Sequence, residues 1–229
     1  MALDGSRLMS ITFGSFGQAA RTLDVVAEQK LSTEEIEVLN NGYLTDLARA
    51  IRMGTVPARD TFQKLLGLLP ELKIWKTVKL GVHKTPEAYE KSIEKKDFCI
   101  VDWARQILKK VTVSQTVVEV DLGVLTVAEL GFKGNARFED ICARIIEIGG
   151  ELCPDEVGPA LRDQYEDQPL GEWNLIAMKA LTDSDGLLLV FGVDHDDDVR
   201  WLDTFNGHPG DLYDPDDRVV FVVPRKLES

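Results

Sequence analysis

Between residues 172 and 223, four short apolar runs are separated by clusters rich in Asp, Gly and Pro. The runs are EWNLIAMK (172–179), LLLVFGV (187–193), VRWLDTF (199–205) and RVVFVV (218–223), joined by TDSDG, DHDDD and NGHPGDLYDPDD. Each run has strand length, and each link carries turn residues. Short links imply hairpins, so the pattern predicts an antiparallel meander. Strands apolar on both faces must be covered, and helices expected over 136–148 and 154–165 are the natural cover.

The chain ahead of this unit reads as mainly helical. A Gly-bearing arm with a short strand at 10–13 precedes a helix over 18–28, with Ala19, Leu23, Val26 and Ala27 on one face. Ser32-Thr-Glu-Glu35 is a capping-box pattern, and Ile36, Leu39, Tyr43, Leu47 and Ala50 follow at helical spacing up to Gly54. Pro57 opens a third helix expected to bury Phe62, Leu65, Leu66 and Leu69. The three helices are expected to form a small bundle. LKIWKTVKL (72–80) alternates, which predicts an edge strand kept soluble by lysines. Its Lys73, Trp75, Thr77 and Lys79 face is the alternative reading, a surface for stacking a base or a sugar. Thr85-Pro86 opens a helix to about 96, and a second from about 100 places Ile100, Trp103, Ala104, Ile107 and Leu108 on one stripe. The pair has the outline of a helix-turn-helix, but its turn lacks a Gly and Asp102 stands where bases would be read. Residues 111–127 are β-rich, and Asn135 is placed to cap the helix that turns Phe138, Ile141, Cys142 and Ile145 inward. The fold class expected is therefore α+β: an N-terminal helical region at 1–110 and an acidic α+β module at 111–229, the antiparallel β-meander covered by helices.

Charge sharpens the division. Residues 1–110 hold 17 Lys+Arg and 14 Asp+Glu, a formal +3, whereas residues 111–229 hold 9 and 25, a formal −16. A surface this negative repels phosphate, so nucleic-acid binding by the second part is disfavoured and a basic protein is the partner it suits. Cys99, Cys142 and Cys153 are odd in number and form no CxxC pair, which argues against a disulfide framework and fits a reducing cytosol. The start of the chain lacks the basic, then apolar, layout of a signal peptide, and no apolar run approaches the roughly 20 residues needed to span a bilayer. A cytoplasmic location is expected.

ELCPDEVGPALRDQYEDQPLGEW, then IAM, TDSDG, VF and the closing RVVFVVPRK resemble an uncharacterised family of bacterial hypothetical proteins. The resemblance runs from about Ile74 to Lys226 and includes TVAELGF at 126–132. It implies a coherent module and assigns no activity, cofactor or site.

Cys153 stands just before a helix, where the dipole lowers a thiol pKa, and His195 or His208 is the base a thiol enzyme would need. A packed, inert thiol is the simpler reading. Asp183-Ser-Asp185-Gly186 looks like half a calcium loop, but Leu187, Leu189 and Phe191 occupy the positions that should carry ligands, so an Asp-Gly turn fits better. His195 with Asp194, Asp196, Asp197 and Asp198 reads as a solvated turn, since consecutive residues point apart. Trp173, Trp201, Tyr213 and Phe221 are core aromatics or the floor of a cleft for a sugar or peptide, with Arg218 or His208 at its rim. Arg162 and Tyr165 share a helix face. The ligand-binding candidates are thus Trp173, Trp201, Arg218, His208 and Tyr165, with no metal site and no cofactor expected. No Walker loop, GxGxxG, GxSxG or HExxH occurs. The functional expectation is a non-enzymatic interaction or binding protein. The alternatives are a small hydrolase or transferase using Asp residues and His195, and a small polar-ligand module with an aromatic cleft.

Overall fold

The structure is a computed structural model that describes residues 24, 27–67, 70 and 72–225. The strand expected at 10–13, most of the helix expected over 18–28, and Leu69 and Lys226 lie outside these residues. The chain divides into two compact units, residues 1–58 and 59–229.

The described part of the first unit holds α1 (Thr33–Val38), a π-turn (Leu39–Tyr43) and α2 (Leu44–Met53). The capping box is formed: Ser32 Oγ accepts from the Glu35 amide at 3.3 Å, and Glu35 Oε2 accepts from the Ser32 amide at 2.7 Å. Gly42, at φ +106°, breaks the helical path, and Gly54 ends α2 in the left-handed conformation. The expected burial differs. These helices bury no residue among those described, and Ile36, Tyr43, Leu44, Ile51 and Met53 are exposed. An apolar stripe is buried only when a second surface meets it, and no described residue of this unit supplies one.

The second unit opens with α3 (Arg59–Leu65), where Leu65 and Leu66 are exposed rather than inward. It continues with β1 (Lys76–Leu80), α4 (Pro86–Lys95), β2 (Cys99–Ile100), α5 (Asp102–Leu108), β3 (Val118–Thr126), β4 (Ala136–Arg137) and α6 (Phe138–Glu147). Then come α7 (Val157–Gln164), β5 (Trp173–Ile176), β6 (Leu181–Thr182), β7 (Leu188–Asp196), β8 (Val199–Asn206), β9 (Leu212–Tyr213) and β10 (Arg218–Val222). Among the described residues, eight strands form one curled sheet in the order β1-β3-β10-β5-β7-β8-β2, with β6 on β7; β4 and β9 pair separately.

This corrects the expected architecture. The sheet is mixed and dominates the fold, and the helices are short. Strand β10 does not close a meander. It inserts between β3, to which it is antiparallel, and β5, to which it is parallel. β2 joins β8 in parallel at the far edge, so the sheet draws strands from both sides of residue 110. Of the strands expected in the meander, β5, β7 and β8 alone keep the simple antiparallel run.

The sheet curls because it wraps α7, which touches β1 near one edge and β7 and β8 near the other. A helix held this way is buried all round, and every residue from Val157 to Asp163 is buried. Small residues allow it: a Cβ on Gly158 would come within 2.5 Å of the Phe191 side chain. Two buried carboxylates, at the start of α7 and within it, fasten neighbouring segments. Glu156, just ahead of it, accepts from Tyr89 Oη (2.6 Å) and the amides of Gly81 (2.7 Å) and Ser114 (2.8 Å). Asp163 accepts from Ser92 Oγ at 2.7 Å and lies 3.1 Å from His83 Nε2.

Local expectations held where the signal was local. Thr85 caps α4 with Pro86 in its first turn, and β1 is an edge strand. On α5, Ala104, Ile107 and Leu108 are buried as expected, but Trp103 is exposed because this short helix has only a narrow inner stripe. Arg137, not Asn135, precedes α6; Asn135 Nδ2 instead donates to Asp214 Oδ1 at 2.6 Å. The TDSDG link is a turn in which Asp183 Oδ1 accepts from the amides of Asp185 and Leu187.

Candidate functional site

Side chains alternate across a strand, so the pairing of β5, β7 and β8 decides which residues share a face. Trp173 lies opposite Asp194, Asp194 opposite Trp201, and Gly192 opposite Asp203. Trp173, Gly192, Asp194, Trp201, Asp203 and Phe205 therefore lie on the face turned away from α7. Phe191, Val193, His195, Arg200 and Leu202 lie on the α7 face.

On the outer face the sheet carries a cleft of about 410 Å³, lined by Gly171, Glu172, Trp173, Asp194, His195, Asp196 and Phe205. Trp173 and Phe205 form its aromatic wall, with ring centroids 5.0 Å apart and planes tilted by 35°. Gly192 makes this possible, because a Cβ there would come within 2.0 Å of the Phe205 ring. The absence of a side chain on the central strand lets Phe205 lie down against it.

Asp194 stands beside this wall. Its Oδ1 is buried with no hydrogen-bond partner, an uncommon state for a carboxylate oxygen. Burial pushes its pKa up to about 7, reinforced by the charge of Asp203 on the neighbouring strand and a hydrogen bond to it. Two carboxylates side by side cannot both ionise at low cost, so Asp194 keeps a proton near neutrality that an isolated Asp would have lost. Asp203 is anchored by accepting the Thr204 amide at 2.6 Å.

Behind the cleft, on the α7 face, sits a second polar group. Glu172 Oε1 accepts from Tyr165 Oη (2.7 Å) and Asn174 Nδ2 (2.9 Å), and Glu172 Oε2 lies 3.3 Å from Arg218. Arg218 Nε also donates to Asn174 Oδ1 at 3.0 Å. Arg162, wholly buried, donates to Gln168 Oε1 and to the carbonyls of Asp194 and Tyr165, and stacks over Phe98 at 4.8 Å. Burial, with help from Arg200, lowers its pKa to about 10. These contacts fix β7 at the position where Asp194 leaves it.

The structure thus separates the residues singled out from the sequence. Trp173 lines the cleft, and Trp201 lies on the same face, opposite Asp194. Tyr165 and Arg218 belong to the Glu172 group behind it. His208 is exposed on a separate turn, bonded to Asp211 and Gly210. Tyr213 and Phe221 are core residues. Asp194 and His195 leave β7 on opposite faces and do not converge; His195 is buried, its Nδ1 2.6 Å from the Gln168 carbonyl. Asp194 is a strand residue and not part of a solvated turn; that turn begins after Asp196, with Asp197 and Asp198 at positive φ. Cys153 is buried, its Sγ 3.7 Å from the Val220 carbonyl, and burial raises its pKa far above the thiol range, which removes the thiolate a nucleophile needs. Sequence reasoning missed Phe205, Asp203 and Asp194 as one group. The signal was present in Trp201-x-Asp203-x-Phe205, an alternation that sets three such residues on one face.

Among the described residues, no helix is long and apolar enough to cross a membrane. No family model, curated protein or solved structure matches this chain.

Proposed function

We propose that this protein is a non-catalytic binding module whose site is the Trp173–Phe205 cleft, and that it takes a small polar ligand there. One observation carries the reading: the Trp173–Phe205 aromatic wall and the carboxyl-bearing residue Asp194 line the same concavity. Small-molecule sites combine apolar walls with a few placed polar groups in clefts of this size. The polar groups behind the cleft keep its floor fixed, so little ordering is needed when the ligand arrives.

The test is a fragment screen by protein NMR on the full chain, following the Trp173 indole N–H, assigned by its loss in Trp173→Leu. Polar fragments are expected to shift that resonance together with the amides of Gly171, Asp194 and Phe205. A screen in which no fragment moves these signals would refute the site.

A further inference from the structure

The reading of the cleft as a ligand site leaves the ligand's chemistry open, and the lining narrows it. We infer that the cleft selects a small organic cation, an alkylammonium group seated against Trp173 and held by Asp194 and Asp203. The inference rests on the cleft being a binding site at all.

Among the described residues that line the cleft, those with a formal charge are all acidic: Glu172, Asp194 and Asp196. Asp203 adds a fourth carboxylate from the adjacent strand. Glu172 is already balanced by Arg218, Tyr165 and Asn174. Asp196 Oδ1 accepts the Asp197 amide at 2.9 Å. Asp194, which lines the cleft beside Trp173, is left to meet the ligand. An anion entering here would face like charges. A neutral polyol gains nothing from the negative charge that these carboxylates concentrate. An alkylammonium ion suits both walls, since its charge is attracted to the face of an indole and its methyl or methylene groups pack against Phe205.

The cation and the proton on Asp194 compete for one carboxylate. Asp203 on β8 and Asp196 on β7 hold that proton in place, whereas Arg162 on α7 opposes it. Binding of a cation therefore expels the proton, and affinity rises as pH rises through the range where Asp194 titrates.

Choline and its neutral isostere 3,3-dimethylbutan-1-ol have the same shape and differ in charge, so calorimetric titration of the full chain with each isolates the inference. Choline is expected to bind at least about tenfold more tightly than the isostere at about pH 8, and to weaken several-fold at about pH 5.5. Asp194→Asn is expected to lose the preference for choline and the pH dependence, while keeping its melting transition. Equal binding of choline and the isostere would overturn the cation inference and leave the cleft as a site. A preference for choline that does not change with pH would remove Asp194 from the contact. Failure of choline to bind while fragments still shift Trp173 would overturn the cation inference alone. Silence in both experiments would overturn the site as well.

Discussion

Asp194 shows how one residue links stability to binding. Its folded pKa of about 7 stands above the ordinary value of 3.8, so between these limits the folded protein holds a proton that the unfolded chain has released. Stability contributed by the protonated form is present at the acid end of this window and falls as pH rises toward 7. Asp194→Asn keeps the shape and removes the titration. The variant is expected to lose this fall in stability between about pH 4 and about pH 7, and to gain on the order of 1 kcal/mol or more over the native chain at about pH 8, a fraction of the roughly 4 kcal/mol that a shift of about three units carries in full. Urea unfolding at a series of pH values measures it; parallel pH profiles for the two proteins would show that Asp194 is not the titrating group. A native residue that costs stability above neutrality, in a cleft, has the signature of a functional group. The sequence displayed this Asp in a DHDDD cluster, where a solvated turn was the simpler reading. What distinguished it, the register that sets it between Trp173 and Trp201, is a long-range property invisible in the local pattern.

At the scale of the element, the helix α7 does two jobs. It fills the curl of the sheet, and its last residue protects the sheet's open edge. Gln164 Oε1 accepts from the Lys79 amide at 2.9 Å, and Gln164 Nε2 donates to the Lys79 carbonyl at 2.8 Å. A side-chain amide thus stands in for the neighbouring strand that β1 lacks. Unpaired edges recruit other chains, and natural sheets cover or charge them. Gln164→Ala is expected to change thermal stability little, because both partners are exposed, yet to raise self-association. Sedimentation velocity over a concentration series would detect it, and an unchanged monomer distribution would show that the lysines of β1 alone protect the edge. The edge character of β1 was legible from LKIWKTVKL, and the Thr85-Pro86 cap from its chemistry, because both depend on neighbours in sequence. The insertion of β10 between β3 and β5 was not, because RVVFVV would satisfy either partner and either direction equally well. The same limit explains Trp103: a stripe on a short helix shows which residues can face inward, and only the packed neighbours decide how many do.

For the whole molecule, the decisive fact is where the core lies. Among the described residues, the buried apolar cluster runs from Val78 to Phe221, and every member belongs to the unit 59–229. The described helices of 1–58 contribute no buried residue to it. Hydrophobic burial is the main favourable term in folding, so a unit that owns its entire core has what it needs to fold alone. A chain begun at Arg59 is therefore expected to fold cooperatively and to melt within about 4 °C of the full chain, since a shift of that size corresponds to roughly 1 kcal/mol in a domain of this length. Calorimetry on both chains measures it. A lost transition, or a drop well beyond that margin, would mean that the first unit carries part of the stability its exposed helices do not display. The cleft lies wholly within 59–229, so the shortened chain is also expected to keep the Trp173 shifts of the fragment screen.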